Sequence, residues 1–283
     1  MTMPVSAPSR SRSQLRNHPW VLLLAVKLLL APSFVVGASL AARRFGPGIG
    51  GLIGGLPVVA GPILLVYALA HGRAFAAGAA AGTLLGLVSL IAFVVVYARL
   101  ASRMFWGAAM LAGWLAFALA TAVFSALTLP LGGALALVAV ALLAGLAALP
   151  RPGAEVRVHR APPVWDLPVR GLCALALVVA LTAVSGWLGP QLSGLLAPFP
   201  IITTVLATFT HAQRGTSELL RLMRGLVGGF GAFALFCFTL SLSLHRLDTA
   251  AAFALATALA LVTQLGVFVL MPAARAARAV PEY

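Results

Sequence analysis

One feature recurs nine times along this chain: an apolar run close to the length that crosses a bilayer. The runs lie at about 19–42, 49–70, 74–98, 104–126, 131–149, 169–188, 192–211, 217–244 and 249–271. A spanning helix needs roughly 20 apolar residues, and a helix is the open-chain structure that satisfies its own backbone in lipid. The pattern therefore predicts an all-α, polytopic transmembrane helix bundle of about nine spans. Composition excludes the soluble alternative. Hydrophobic residues make up 62% of the chain and charged residues 8%, against about 25% charged in soluble domains.

The formal charge is +14, from 19 basic and 5 acidic residues. In a soluble chain such a surplus would suggest nucleic acid. Here the basic residues sit between apolar runs, where they read as topology signals and lipid-headgroup contacts. No nucleic-acid partner is expected. Every basic residue except Lys27 is arginine, a bias that fits a G+C-rich bacterial genome. Cys173 and Cys237 each lie inside an apolar run and have neither metal-ligand nor redox spacing.

The first run follows Arg10, Arg12 and Arg16 and could pass for a signal peptide. Its length, its internal Lys27 and Pro32, and a counterpart later in the chain favour a retained helix. The basic residues between runs set the orientation. Arg10, Arg12, Arg16, Arg73 and Arg246 fall on one side and thirteen arginines on the other. Nine spans with a cytoplasmic C-terminus fit that division, although the basic N-terminal tail argues the other way.

An internal repeat appears when the chain is shifted by 143 residues. Gly46-Pro47 then meets Gly189-Pro190, and Gly51-Leu52 meets Gly194-Leu195. Pro57 meets Pro200, Gly72 meets Gly215, Gly82 meets Gly225, Gly86 meets Gly229, and Lys27 meets Arg170. Coincident glycines and prolines carry weight because each fixes a backbone property. The organisation expected is a disordered basic tail (1–18), a first four-helix repeat (19–126), a linking transmembrane helix (127–149), a polar Pro-rich linker (150–168), a second four-helix repeat (169–272) and a C-terminal tail (273–283). Five spans before the second copy would invert it relative to the first, the plan of many secondary transporters.

The repeated motif resembles the GlpM family of small bacterial membrane proteins, about four spans each. In the second copy the resemblance rests on Gly194-Leu195-Leu196-Ala197-Pro198-Phe199-Pro200, Gln213-Arg214-Gly215 and Glu218-Leu219-Leu220-Arg221. In the first it rests on Lys27, Gly50-Gly51-Leu52, Leu56-Pro57 and Gly72. The chain looks like a tandem fusion of two such units. The resemblance implies a multi-pass protein of the bacterial inner (cytoplasmic) membrane, with a loose link to alginate production and no settled activity. In plan, the duplicated four-span units are also similar to the drug/metabolite transporters.

Candidate binding residues follow from polar or backbone-breaking groups within the runs. Lys27 lies about eight residues into its run, where a charge costs on the order of 3 kcal/mol. Either it faces a cavity or it snorkels to the interface. Arg170 occupies the equivalent place, one turn after Asp166; it either pairs with that acid as an interfacial anchor or points inward with Lys27 to attract an anion. Pro57 and Pro200 interrupt corresponding spans, which marks either a transporter site or kinked packing. Thr204, Thr208 and His211 share one helix face, although Thr hydroxyls often bond their own i−4 carbonyls. Gly51 and Gly194 are the repeat-motif glycines. Glu218 and Arg221 form a plausible surface pair, and Gln264 could bond a neighbouring helix.

None of the five acids falls within the middle of a span, which argues against a proton relay through a buried carboxylate. No metal site, cofactor or nucleophile-and-base constellation is evident. Three functions remain. The first is a secondary transporter or flippase-like carrier of an anionic or saccharide-type solute. The second is a non-transporting accessory subunit, for example of exopolysaccharide production. The third, a lipid-directed enzyme, would rest on His211 and Glu218 alone, and no enzymatic activity is expected. The expected partners are the lipid bilayer, an anionic small molecule, and a second copy or another membrane protein.

Overall fold

The computed structural model describes residues 19–127, 129–153, 163, 165–195 and 199–270; the side chains at 19–28, 181–195 and 270 fall outside that description. The tails 1–18 and 273–283 and most of the linker lie outside the described residues. Among the described residues every regular element is a helix. In chain order these are α1 (Pro19–Phe45), α2 (Pro47–Gly54), α3 (Ala60–His71), α4 (Arg73–Leu100), α5 (Trp106–Ser125), α6 (Leu131–Ala148), α7 (Asp166–Leu195), α8 (Ile201–Ser243) and α9 (Thr249–Leu270). Helices α4, α5, α6, α8 and α9 are each long and apolar enough to cross a bilayer. The protein is a membrane-embedded helical bundle.

The 143-residue register holds at the level of elements. Helix α8 is broken at Gly215 into a first arm (201–214) and a second arm (216–243). Helix α4 maps onto the second arm end for end, and α5 and α9 begin 143 residues apart. Gly72 (φ 88°, ψ 167°) and Gly215 (φ 81°, ψ 179°) make the same turn at equivalent points. A side chain would be strained in that conformation. Helix α6 is the extra element between the copies.

Hydrogen bonds fix the sense of the two copies. Arg73 Nη1 donates to the Leu247 carbonyl at 2.7 Å, so the start of α4 meets the end of α8. Thr216 Oγ1 donates to the Ala101 carbonyl at 3.2 Å, and Ser217 Oγ to the Gly153 carbonyl at 2.9 Å. The start of the second arm thus meets the far end of α4. Gly72 and Gly215 therefore turn at opposite faces, and the repeats are inverted. The face holding Gly215 also holds Arg43, Arg99, Arg214, Arg221 and Arg224, and is called the basic face below.

Helix α4 and the second arm of α8 run antiparallel at the centre, tied by Ser241 Oγ to the Ala77 carbonyl at 3.0 Å. Leu84, Leu87, Phe93 and Tyr97 pack there with Leu226 and Phe230, all fully buried. Helices α5, α6 and α9 lie outside and turn Leu111, Leu115, Leu119, Val140, Leu143 and Leu265 outward. Lipid tails are as apolar as these side chains, so association rests on close packing. The closest approach is α2 against α8. A Cβ on Gly51 would overlap the Leu222 carbonyl, and one on Gly225 the Gly48 carbonyl.

Three boundaries differ from the sequence expectation. The second run is two helices, α2 and α3, parted at 55–59, because Pro57 has no N–H to donate. The sixth run extends to Asp166–Leu195, so the last residues of the linker are helical. Pro168 is tolerated because it lies in the first turn. Residues 192–195 therefore close α7 rather than opening the seventh span, whose helix starts at Ile201.

The break after α2 leaves C-terminal carbonyls without intrahelical donors. Gln264 Nε2 of α9 donates to the Leu52 carbonyl at 2.5 Å. We expect Gln264→Leu to lower stability by about 1–2 kcal/mol, read as a reduced unfolding midpoint in detergent micelles. An unchanged midpoint would show that this bond does not hold the break.

Candidate functional site

Two half-helices start inside the bundle. Helix α3 ends at the face opposite the basic one after 12 residues, so it begins about 18 Å deep. The first arm of α8 ends at the basic face and begins about 20 Å deep. Both starts therefore lie near mid-bilayer. Among the described residues, no side chain caps either N-terminus. Backbone carbonyls take part of each first turn, with Gly61 N–H donating to the Pro57 carbonyl at 2.8 Å and Ile201 N–H to the Phe199 carbonyl at 2.7 Å. The positive dipole end of each half-helix points into the bundle.

A cavity of about 70 Å³ lies between these starts. Its lining obeys the repeat. Leu56 and Phe199, Val59 and Ile202, Ala60 and Thr203, and Leu90 and Phe233 all line it, and each pair is 143 residues apart. Only a site on the pseudo-two-fold axis collects both members of so many pairs. Apart from Thr203 the side chains named in the lining are apolar, while the two helix starts favour negative charge.

The surroundings of the cavity are not symmetric. Between α3 and α9 a groove of about 650 Å³ opens, and Leu56 lines both it and the cavity. The equivalent position lies between the first arm of α8 and α5, and it is filled. Trp114 packs on Phe199 with ring centroids 5.6 Å apart, and Phe117 meets the same ring edge-on at 5.5 Å. Trp114 Nε1 also donates to Thr204 Oγ1 at 3.0 Å. One of two symmetry-related openings is closed by aromatic side chains.

A charged cluster lies toward the basic face. Asp166 is fully buried. It receives Arg43 Nη2 at 2.5 Å, Arg170 Nε at 2.9 Å and Gln213 Nε2 at 2.6 Å. The Arg170 guanidinium also stacks 4.8 Å from the Phe209 ring centroid, a cation–π contact. A small hollow beside it is lined by Ser39, Arg43, Arg170, Thr210 and Arg214.

The candidate residues are distributed as follows. Pro57 sits in the α2–α3 break, and Pro200 caps α8 at the cavity. Thr204 belongs to the closed aromatic contact. Thr208 Oγ1 donates to its own Thr204 carbonyl at 2.8 Å, so its hydroxyl serves its helix. His211 lies near the basic face, with Nδ1 3.4 Å from the Tyr97 hydroxyl. Gly51 packs on α8, and Gly194 lies in α7. The side chain of Lys27 lies outside the described residues. Its position on α1 is more than three turns from Ser39, which with Ala42 and Arg43 of α1 shares a hollow with Arg170. The arginine is spent on Asp166, and the backbone levels of the two cations differ.

Sequence reasoning missed the pairs that line the cavity and the role of Trp114. The lining could have been found by carrying the 143-residue shift through the apolar residues beside each proline. Trp114 carries no comparable signal, because a tryptophan in an apolar run reads equally well as lipid-facing. In comparisons with known proteins, no family model matches the chain, and no curated protein or solved structure matches it.

Proposed function

We propose that the chain is an inverted-repeat carrier of the bacterial inner membrane, a GlpM-like unit fused in tandem, moving an anionic or saccharide-type solute through the axial cavity. The observation that supports it most is the cavity itself, lined by repeat-related pairs and faced by the positive dipole ends of two half-helices. Broken helices at a midplane axis are the recurring plan of secondary transporters. The open groove and its closed counterpart are then two halves of one alternating cycle. The excess of arginines on the basic face favours a cytoplasmic position for it.

Paired spin labels test this reading. Met104 and Ala212 flank the closed opening at one face; Leu247 and Leu69, their repeat equivalents, flank the open groove at the other. All four are exposed. In proteoliposomes each pair should show two distances. Trp114→Phe removes the bond to Thr204 and should lengthen the first pair while shortening the second. Single, fixed distances for both pairs in both proteins would sink the carrier and leave the accessory-subunit reading.

A further inference from the structure

We infer that the groove between α3 and α9 is a binding site for one acyl chain of an anionic membrane lipid. The groove lies at hydrocarbon depth, running from the α2–α3 break along Pro62 and Leu65 of α3 and Phe253, Thr257 and Leu261 of α9. Its volume falls within the ~300–1,000 Å³ range of ligand pockets. Among the described residues that line it, Thr257 has the only polar side chain. Water would gain almost nothing there, and a hydrocarbon chain loses nothing on entering.

The counterpart groove shows what such a space requires. There, Trp114 and Phe117 fill the equivalent volume from within the protein. The α3–α9 groove is the same architecture without that filling, so its occupant comes from the bilayer. The sign of the headgroup follows from the mouth. Helix α3 ends and α9 begins at the face that carries Arg73 and Arg246, both exposed. Asp248, the acid beside them, accepts the Ala251 N–H at the start of α9, so the arginines leave a positive surplus. Helix α3 runs six residues beyond Leu65 to His71, about 9 Å, and Arg73 follows directly after the Gly72 turn, within reach of a headgroup whose chain occupies the groove. Each such cation contributes about 1 kcal/mol toward an anionic lipid at the surface.

This inference deepens the carrier reading, on which it rests for its consequence: the cargo is an acyl-chain lipid that enters sideways and reaches the axial cavity past Leu56. The site itself is tested separately from carriage. Phosphatidylglycerol and phosphatidylcholine bearing the same photoreactive acyl chain are incorporated into nanodiscs with the full chain, and labelled residues are mapped. Label should concentrate on Pro62, Leu65, Thr257 and Leu261, with the anionic lipid favoured about tenfold. Thr257→Trp fills the groove from an exposed position and should abolish that label. Leu259→Trp, exposed on the same helix but outside the groove, should not.

Label spread evenly over Leu143 of α6 and the groove residues would overturn the site, as would equal labelling by the two lipids. An unlabelled groove in a chain whose spin-label pairs still exchange would overturn the lipid site and leave carriage standing. A labelled groove in a chain with fixed pairs would uphold the lipid site and overturn carriage.

Discussion

Asp166→Ala is expected to destabilise the bundle by about 3–5 kcal/mol, the cost of leaving a buried charge uncompensated. The carboxylate has no solvent exposure and joins three elements: Arg43 from the end of α1, Arg170 from its own helix, and Gln213 from the first arm of α8. Arg170 is itself 5% exposed. Removing the acid strands that guanidinium between Phe209 and Arg43, while Gln213 loses its acceptor. Chemical denaturation in mixed micelles would show the loss as a lower midpoint. The double change Asp166→Leu with Arg170→Met should recover most of it, because removing both partners of a buried pair is often close to neutral. A single variant as stable as the parent would show that the cluster contributes no stability. A double variant no better than the single would assign the main cost to Arg43 and Gln213.

This cluster also shows where the sequence stops being legible. The pairing of Asp166 with Arg170 follows from their i,i+4 spacing. Arg43 and Gln213 are distant in sequence, and nothing local announces them. The repeat was legible because Gly72 and Gly215, or Pro57 and Pro200, mark backbone conformations that other residues do not adopt easily. The inversion of the copies followed from an odd number of preceding spans, and the hydrogen bonds of Arg73 and Thr216 agree with it. The partner of each helix was not legible. In water an apolar stripe identifies the buried face of a helix. In lipid the outer face is apolar too, so Leu111 on the outside and Leu87 at the centre look alike. Small residues are the exception, because they mark where backbones approach closely. Gly51 of the first copy and Gly225 of the second each let α2 and α8 approach across the two copies, Gly51 against Leu222 and Gly225 against Gly48.

That contact carries the second large effect. Gly225→Ala should cost about 3 kcal/mol or more, at the upper end of what overpacking a core usually costs. A new Cβ at this position meets the Gly48 carbonyl and the Leu52 amide nitrogen, both backbone atoms. Neither can rotate away, so α2 must move as a unit. Gly229 leaves the same helix no slack one turn on, since its Cβ would meet the Leu52 carbonyl and Gly55. Moving α2 shifts Gly54 and the break at Pro57, and with them one wall of the axial cavity. Gly231 is the internal control. It lies on the same arm of α8, and among the described residues nothing comes within 4 Å of where its Cβ would stand. Ala is favoured over Gly in a helix by up to about 1 kcal/mol. The same substitution six residues apart should therefore lower the unfolding midpoint at Gly225 and leave it unchanged or raise it at Gly231. Equal midpoints for the two variants would mean that α2 does not sit against α8 through these glycines. The axial cavity would then lose the helix that fixes its wall.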